Sequence, residues 1–478
     1  MRAPQIHRSP VVANHTTASL NAPHLKQQPV SVTRKMAASL PGLRKIAEEQ
    51  GLTIHHLGAG YPHPEVTDPT GYIQHKERFF SHLDQQMGIN DGERSETLRE
   101  AYNYTDTLGP VGPREDFASV YGADWGFTIN PDHLLPTVGA SGGINLCCSL
   151  FERPGIKVAY ITDAPTYAGF LARATLNDNA SIYSVEMDDE GPIPETFQAQ
   201  ILKAREDGYF VPFYYTVPDG HNPAGFSFSQ ARREAILAIA KEEGILIIED
   251  APYVYINYTD AGARPSLFAS LDPKQTIHLF TGSKIGLPGP RVGFLYTDAV
   301  IAIDGEEVDA ATLLLTESSA DVLFHNPEAL RGFQALLRDD SFETRESLWP
   351  VAEDKLAVYR ENRAMLLDIF EDKLGDKKDR FHWTVPGAGF FSVFRFKNPN
   401  IRTDDAFIQK LVSEYGIVVI PMYDFYPPDA RHRDANAGMS ELRVSFCFSE
   451  RSGDDRRDDM RAAMTAFCEA AIREDAAA

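Results

Sequence analysis

Between residues 157 and 297 the chain alternates short runs of β-branched and aromatic residues with segments of helical pattern. No other feature constrains the fold as much. The runs are "KVAYIT" (157–162), "SIYSVEM" (181–187), "GYFVPFYYTV" (208–217), "GILIIED" (244–250), "TIHLFTGS" (276–283) and "RVGFLYT" (291–297). Several are almost continuously apolar, as strands covered on both faces must be. "SQARREAILAIAKEEG" shows the intervening helices best: Ser229 can cap it, Ile236, Ile239 and Ala240 share a face, and Gly244 ends it. Such alternation predicts an α/β domain, a mainly parallel sheet flanked by helices.

The flanks read differently. "KMAASLPGLRKIAEEQG" predicts a short helix ending at Gly51, and "LGAGYPHPE" a Gly/Pro-rich loop. Residues 66–100 are polar and poorly periodic, and they receive no assignment from pattern alone. A long helix begins near residue 355; beyond it "GAGFFSVFRF", "GIVVIPM" and "LRVSFCF" precede a final helix. The chain of 478 residues is long enough for two or three domains. The expected division is an N-terminal arm (1–50), a large α/β domain (51–345) whose first loop contributes to the pocket, and a smaller α+β domain (346–478).

Charge and cysteine content exclude some classes. A net charge of −22 disfavours nonspecific attraction to nucleic acid or anionic membrane. No apolar run approaches the length of a spanning helix. Cys147, Cys148, Cys447 and Cys468 form no CxxC pair, so buried reduced thiols are expected, and no metal site. Residues 1–47 contain Arg2, Arg8, Lys26, Arg34, Lys35, Arg44 and Lys45 and no acid. A basic, acid-free start resembles a mitochondrial transit peptide. Pro4, Pro10, Pro23 and Pro29 interrupt any amphipathic helix there. A flexible arm on a cytoplasmic protein is the favoured reading, with mitochondrial import as the alternative.

The chemistry-bearing residues sit where strands end. Asn222 lies just beyond "FYYTVPDGH", Asp250 closes "GILIIED", and Lys284 closes "TIHLFTGS". Ligands of open parallel sheets bind at the carboxyl ends of strands. Alone, such an Asp is most often a turn former and such a Lys a solvated surface group. Together they meet one chemical need. A lysine can form a Schiff base with an aldehyde, and pyridoxal phosphate enzymes pair that lysine with a carboxylate facing the pyridinium nitrogen.

"HNPAG", "EDAPY" and "TGSKIGLPGPRVGF" resemble the asparagine, aspartate–tyrosine and lysine motifs of the fold-type I, class I/II aminotransferases. The similarity is to the kynurenine/2-aminoadipate and aromatic branch and runs in order from about residue 50 to 450. The resemblance implies pyridoxal 5′-phosphate as cofactor, with Lys284 as its lysine, Asp250 opposite the ring nitrogen, and Tyr253 and Asn222 on the phenolic oxygen. "TVGASGG" resembles the phosphate-binding turn, so Gly139, Ala140 and Ser141 would hold the phosphate at a helix start. Thr281, Ser283 and Arg291 match the remaining phosphate positions. "DAPTYAGF" makes Tyr167 the ring stacked over the cofactor. Arg443 in "ELRVSF" matches the arginine that grips the substrate α-carboxylate. "YNYTDTLGPVGPREDF" resembles the segment whose tyrosine, here Tyr104, reaches the partner subunit's phosphate, which implies a homodimer. Gly60 and Tyr61 would line the substrate pocket.

The implied reaction moves an amino group from an L-amino acid, aromatic or bulky, to a 2-oxo acid, with Lys284 as the Schiff-base lysine and general base. Three readings compete. The same lysine could serve β- or γ-elimination, replacement or C–C bond formation. A ligand-sensing regulator on this fold would carry a DNA-binding domain, and no helix-turn-helix pattern precedes residue 50. A nucleotide-binding protein would show GxGxxG or a P-loop, and neither occurs. Gly282 and Gly286 make the lysine loop unusually small, as if to leave room for a bulky substrate.

Overall fold

The computed structural model describes residues 31–86, 101–449 and 451–478. The basic residues Arg2, Arg8 and Lys26, and the last part of the polar stretch (87–100), lie outside the described residues.

Eight strands form the central sheet, in the order Leu134–Val138, Val292–Tyr296, Thr276–Thr281, Leu246–Asp250, Phe210–Thr216, Val158–Ala164, Ala180–Asp188, Gly191–Pro192. The five strands from Thr276–Thr281 to Ala180–Asp188 run parallel, while Val292–Tyr296 runs antiparallel to both neighbours. Alternate residues of these strands enter different clusters. Val158, Tyr160, Phe213, Tyr215 and Ile248 pack on one side, and Ala159, Ile161, Tyr214 and Ile247 on the other. Both faces are therefore covered, which is why the strands read as unbroken apolar runs. The helix Gln230–Glu242 starts where expected: Ser229 accepts the Arg232 amide at 3.2 Å.

A second, antiparallel sheet has the order Phe381–Trp383, Phe391–Phe396, Glu441–Ser445, Ile420–Pro421. The helices Trp349–Leu374 and Gly453–Ala477 cover it, with Leu366, Phe370, Phe394, Met464 and Phe467 in one core. Two glycines let this part approach the large sheet. A Cβ on Gly220 would stand 2.6 Å from the Gly389 amide nitrogen, and both residues have positive φ, +56° and +74°.

One segment departs from its reading as an arm, although the helix expected before Gly51 is present, and part of the unassigned stretch takes a structure. From residue 32 the N-terminal region is not a free arm. Val32–Glu49 is helical, and His55–His56 pairs in parallel with Ile417–Val418, far along the chain. Val32 is buried with Ile420, Met422 and Phe425, and this apolar contact docks the helix. Within the unassigned polar stretch, Thr70–Gln86 is a helix on Pro327–Leu337. Its buried apolar residues, Phe79 and Leu83, meet Ala335, and His75 Nε2 lies 2.8 Å from the Ala335 carbonyl. Among the described residues no helix is long and apolar enough to cross a membrane. The four cysteines are buried and free.

Candidate active site

The carboxyl ends of the parallel strands face the second sheet, and most of the predicted residues meet there. Asp250 ends its strand and is 2% exposed. Its Oδ2 accepts the Tyr215 hydroxyl at 2.7 Å, while its Oδ1 has no partner although buried. Burial pushes the carboxyl up to about 6, against the hydrogen bond from Tyr215 and the nearby charges of His278 and Lys284. A buried acceptor without a donor is costly unless a ligand supplies one.

Lys284 follows the strand Thr276–Thr281 by three residues and is part-buried. Its Nζ donates to the Gly60 carbonyl at 3.0 Å and stands 5.8 Å from the Tyr253 ring and 5.5 Å from the Phe390 ring. Burial draws the amine down to about 8, and the charges of Arg291 and Arg443 act in the same direction. An amine so placed is a usable nucleophile and base near neutral pH.

At one end of the site a helix start, two hydroxyls and an arginine come together. The helix Gly139–Phe151 begins at the predicted turn, so Gly139, Ala140 and Ser141 form its first residues. Arg291 donates to the Ser283 hydroxyl at 3.1 Å and to the Val138 carbonyl at 3.4 Å; Thr281 donates to Ser283 at 3.0 Å. Arg291 has φ 58°, a left-handed conformation uncommon outside glycine, and its guanidinium lies against Gly139. A Cβ on Gly139, itself at φ +62°, would stand 2.7 Å from Arg291 Nη2.

Arg443 lies mid-strand, 1% exposed. It donates to Asn222 Oδ1 at 2.9 Å and to the Gly58 carbonyl at 3.1 Å, and its Nε has no partner. Its guanidinium carbon is 4.0 Å from the Phe391 ring centre and 5.0 Å from that of Phe425. Burial lowers it to about 10, so it stays cationic at neutral pH. Among the described residues no carboxylate lies among its hydrogen-bond partners, an arrangement that would suit an anionic ligand.

Tyr167, just before the helix Ala168–Ala174, is within hydrogen-bonding reach of Ser141; burial raises its phenol, and the charge of Asp250 adds to this. Tyr253 is 2% exposed and meets Phe390 edge-on at 5.3 Å. Tyr61 is 45% exposed and packs edge-on against Phe448 at 4.8 Å. Tyr104 is not brought to this site within the chain: it is 83% exposed and packs edge-on against Phe324 at 5.5 Å. Gly282 and Gly286 do not open space for a substrate. A Cβ on Gly282 would meet Phe333 at 2.9 Å, and one on Gly286 would meet Leu336 at 3.0 Å. Their small size accommodates the helix Pro327–Leu337.

Sequence reasoning missed Tyr215, the donor to Asp250. It also missed Phe391 and Phe425, which sandwich Arg443, and Arg34, whose charge acts on Tyr167. Only Tyr215 carried a local signal, because it shares a strand face with the core one position before Thr216.

The residues present fit pyridoxal 5′-phosphate. The unpartnered Asp250 oxygen suits a ring N–H, the Gly139–Arg291 cradle suits the phosphate, and the amine of Lys284 suits the aldehyde. Among the described residues no group of His, Cys, Asp or Glu is placed to hold a metal ion.

Comparison with known proteins points the same way. Residues 89–450 match the family model "Aminotransferase class I and II". The chain is 26% identical over 420 residues to the (S)-3,5-dihydroxyphenylglycine transaminase of Amycolatopsis orientalis, covering 87% of this chain and 88% of that protein. It is 32% identical to the mitochondrial kynurenine/alpha-aminoadipate aminotransferase of Rattus norvegicus, covering 66% of this chain and 72% of that one. Its fold matches the crystal structure of Pyrococcus horikoshii kynurenine aminotransferase with a TM-score of 0.73 at 21% identity, over 95% of this chain and 97% of that one.

Proposed function

The chain belongs to the class I and II aminotransferase family, and we propose that its amino transfer runs on Lys284, Asp250 and Arg443 with an aromatic or bulky L-amino acid as donor. It is a pyridoxal-5′-phosphate-dependent aminotransferase of fold type I. The observation that carries the residue assignment is the buried, unpartnered oxygen of Asp250 on the same strand ends as a lysine whose amine is drawn down to about 8.

When bound, the cofactor supplies an aldehyde carbon and an electron-accepting ring. Asp250 holds a proton on the ring nitrogen. Arg291, Ser283, Thr281 and the amides of Gly139, Ala140 and Ser141 bind the phosphate. Tyr167 would lie against the ring, and Tyr253 and Asn222 would donate to its phenolic oxygen. Arg443 takes the substrate carboxylate in its fork, which fixes the direction of the Cα–H bond. Nζ of Lys284 would take the proton from the substrate Cα and hand it on away from Cα, and the Phe390 ring, 5.5 Å from Nζ, would limit water at that side.

The donor class rests on the paired rings of Tyr61 and Phe448, Tyr61 following the Gly60 carbonyl that the lysine meets, and on relatives whose names specify dihydroxyphenylglycine, kynurenine and aromatic amino acids. A homodimer accounts for Tyr104 and Tyr102, which are 83% and 66% exposed, and for Leu323 at 53%. The partner's copy of Tyr104 would then complete the phosphate site. A solution mass of one chain contradicts this. Buried free cysteines favour the cytoplasm as compartment.

The test adds single L-amino acids to the loaded protein without any acceptor. Transamination leaves the cofactor in its pyridoxamine form, and L-phenylalanine, L-tyrosine and L-kynurenine convert it faster than L-alanine or L-aspartate. Consumption of amino acid with the cofactor form unchanged refutes the reading.

A further inference from the structure

Asp163 and His221 form a completely buried pair that the chemistry above does not use; each is 0% exposed. Asp163 is the penultimate residue of the strand Val158–Ala164, four positions before Tyr167. Its Oδ1 accepts the Tyr214 hydroxyl, and its Oδ2 accepts Thr216 at 2.7 Å and His221 Nε2 at 3.2 Å. The other ring nitrogen of His221, Nδ1, accepts the Ala224 amide at 3.2 Å. A nitrogen that accepts from an amide carries no proton, so Nε2 carries it and donates to Asp163. Phe226 and Phe228 lie nearly parallel to the imidazole, at 6.0 and 5.9 Å, and stop it from turning.

The turn that His221 closes contains Asn222. Two backbone bonds tighten it, Gly225 N to His221 O at 2.6 Å and His221 N to Phe226 O at 2.7 Å. Asn222 Oδ1 accepts Arg443 at 2.9 Å, so its NH2 group is directed away from that cation. We propose that Asp163 and His221 are positioning residues: together they hold the Asn222 amide so that one end steadies Arg443 and the other is offered to the cofactor ring. This inference rests on the reading of the site given above. One carboxylate thereby ties the segment bearing Tyr167 to the turn bearing Asn222, and the residues proposed for a face and for an edge of the ring share one anchor. Burial of an ionisable pair this deep is costly unless each polar atom is satisfied, and here every one is.

The variants separate positioning from mere stability. His221→Asn keeps an acceptor for the Ala224 amide and cannot reach Asp163. His221→Gln places an amide near the position of Nε2. Asp163→Asn sets an NH2 against incoming donors. Each is reconstituted with pyridoxal phosphate. The readouts are KM and kcat for L-phenylalanine with 2-oxoglutarate, the Kd of 3-phenylpropionate, and the pH midpoint of the cofactor's visible band. The proposal expects His221→Asn and Asp163→Asn to raise KM and Kd about tenfold to a hundredfold, with a smaller change in kcat, because a misplaced Arg443 binds the carboxylate poorly. The band midpoint moves to higher pH, because a hydrogen bond donated by Asn222 favours the ionised phenol. His221→Gln lies closer to wild type than His221→Asn. Lowered melting temperatures with KM, Kd and midpoint unmoved overturn the proposal. A variant that does not fold is replaced by the next in the series, and Asp163→Asn, which changes one atom, carries the same expectations. If wild-type protein shows no visible band, the site reading fails and the inference falls with it; a normal wild type with unmoved variants overturns the inference alone.

Discussion

The amine of Lys284 donates to the carbonyl of Gly60 at 3.0 Å, across 224 residues of sequence. The contact joins the lysine turn to the N-terminal loop, and Cys447 secures that loop by donating to the Tyr61 carbonyl at 3.2 Å. The amine is thus held by the segment that also lies against Arg443, since a Cβ on Gly60 would stand 3.6 Å from Arg443 Nη2.

If this amine is the general base, Lys284→Ala lowers turnover by about a hundredfold to ten-thousandfold. The helical circular dichroism is unchanged, because the side chain supports no core cluster. Single-turnover kinetics on the reconstituted variant measure it. Turnover within a few-fold of wild type refutes the role.

Asp250 predicts how loading depends on pH. Its carboxyl is raised to about 6 by burial, from 3.8 in the open chain. A carboxyl raised in the folded state is protonated there between about 4 and 6, so the anion that faces the ring nitrogen is lost as pH falls through about 6. Affinity of the apoprotein for pyridoxal phosphate therefore weakens below that value, and in Asp250→Asn it is weak throughout and loses this limb. Titrations followed by absorbance from pH 5 to 8 measure both. A flat wild-type profile contradicts the assignment.

Among the described residues Arg443 has no carboxylate partner, so its loss leaves no orphaned anion there, and the effect falls on substrate. Arg443→Lys keeps the charge but not the fork, and KM for amino donor and oxo acid rises about tenfold or more while cofactor affinity stays near wild type. Steady-state kinetics with absorbance titration separate the two. A change in cofactor affinity alone places Arg443 elsewhere in the site.

Arg291→Ala weakens binding of pyridoxal phosphate by about tenfold to a hundredfold, the scale of a charge-assisted hydrogen bond. Binding of pyridoxal, which lacks the phosphate, is little changed. Equal losses for the two ligands would remove Arg291 from the phosphate site.

Much of the site was legible because its residues lie beside local features. Asp250 and Lys284 stand at or just after strand ends, which periodicity reveals; the helix start at Gly139 was legible only through the resemblance of "TVGASGG" to a family motif. What periodicity does not reveal is which distant segments touch. The pairing of His55–His56 with Ile417–Val418 has no local mark, and neither does the stacking of Phe391 and Phe425 on Arg443. The glycines of the lysine loop show the limit plainly. Small residues signal a close approach, and sequence does not say to what: here it is Phe333 and Leu336, not a substrate.

The most direct test of the account is to reduce the loaded protein with borohydride, digest it and locate the phosphopyridoxyl group by mass spectrometry. Burial draws the amine of Lys284 down to about 8, so the peptide containing Lys284 carries the label. Lys355 serves as the internal control, because burial lowers its amine too and it donates to the Val66 carbonyl at 3.0 Å. Label on Lys284 and not on Lys355 is the predicted result; label on Lys355 or another lysine, or on none, contradicts it.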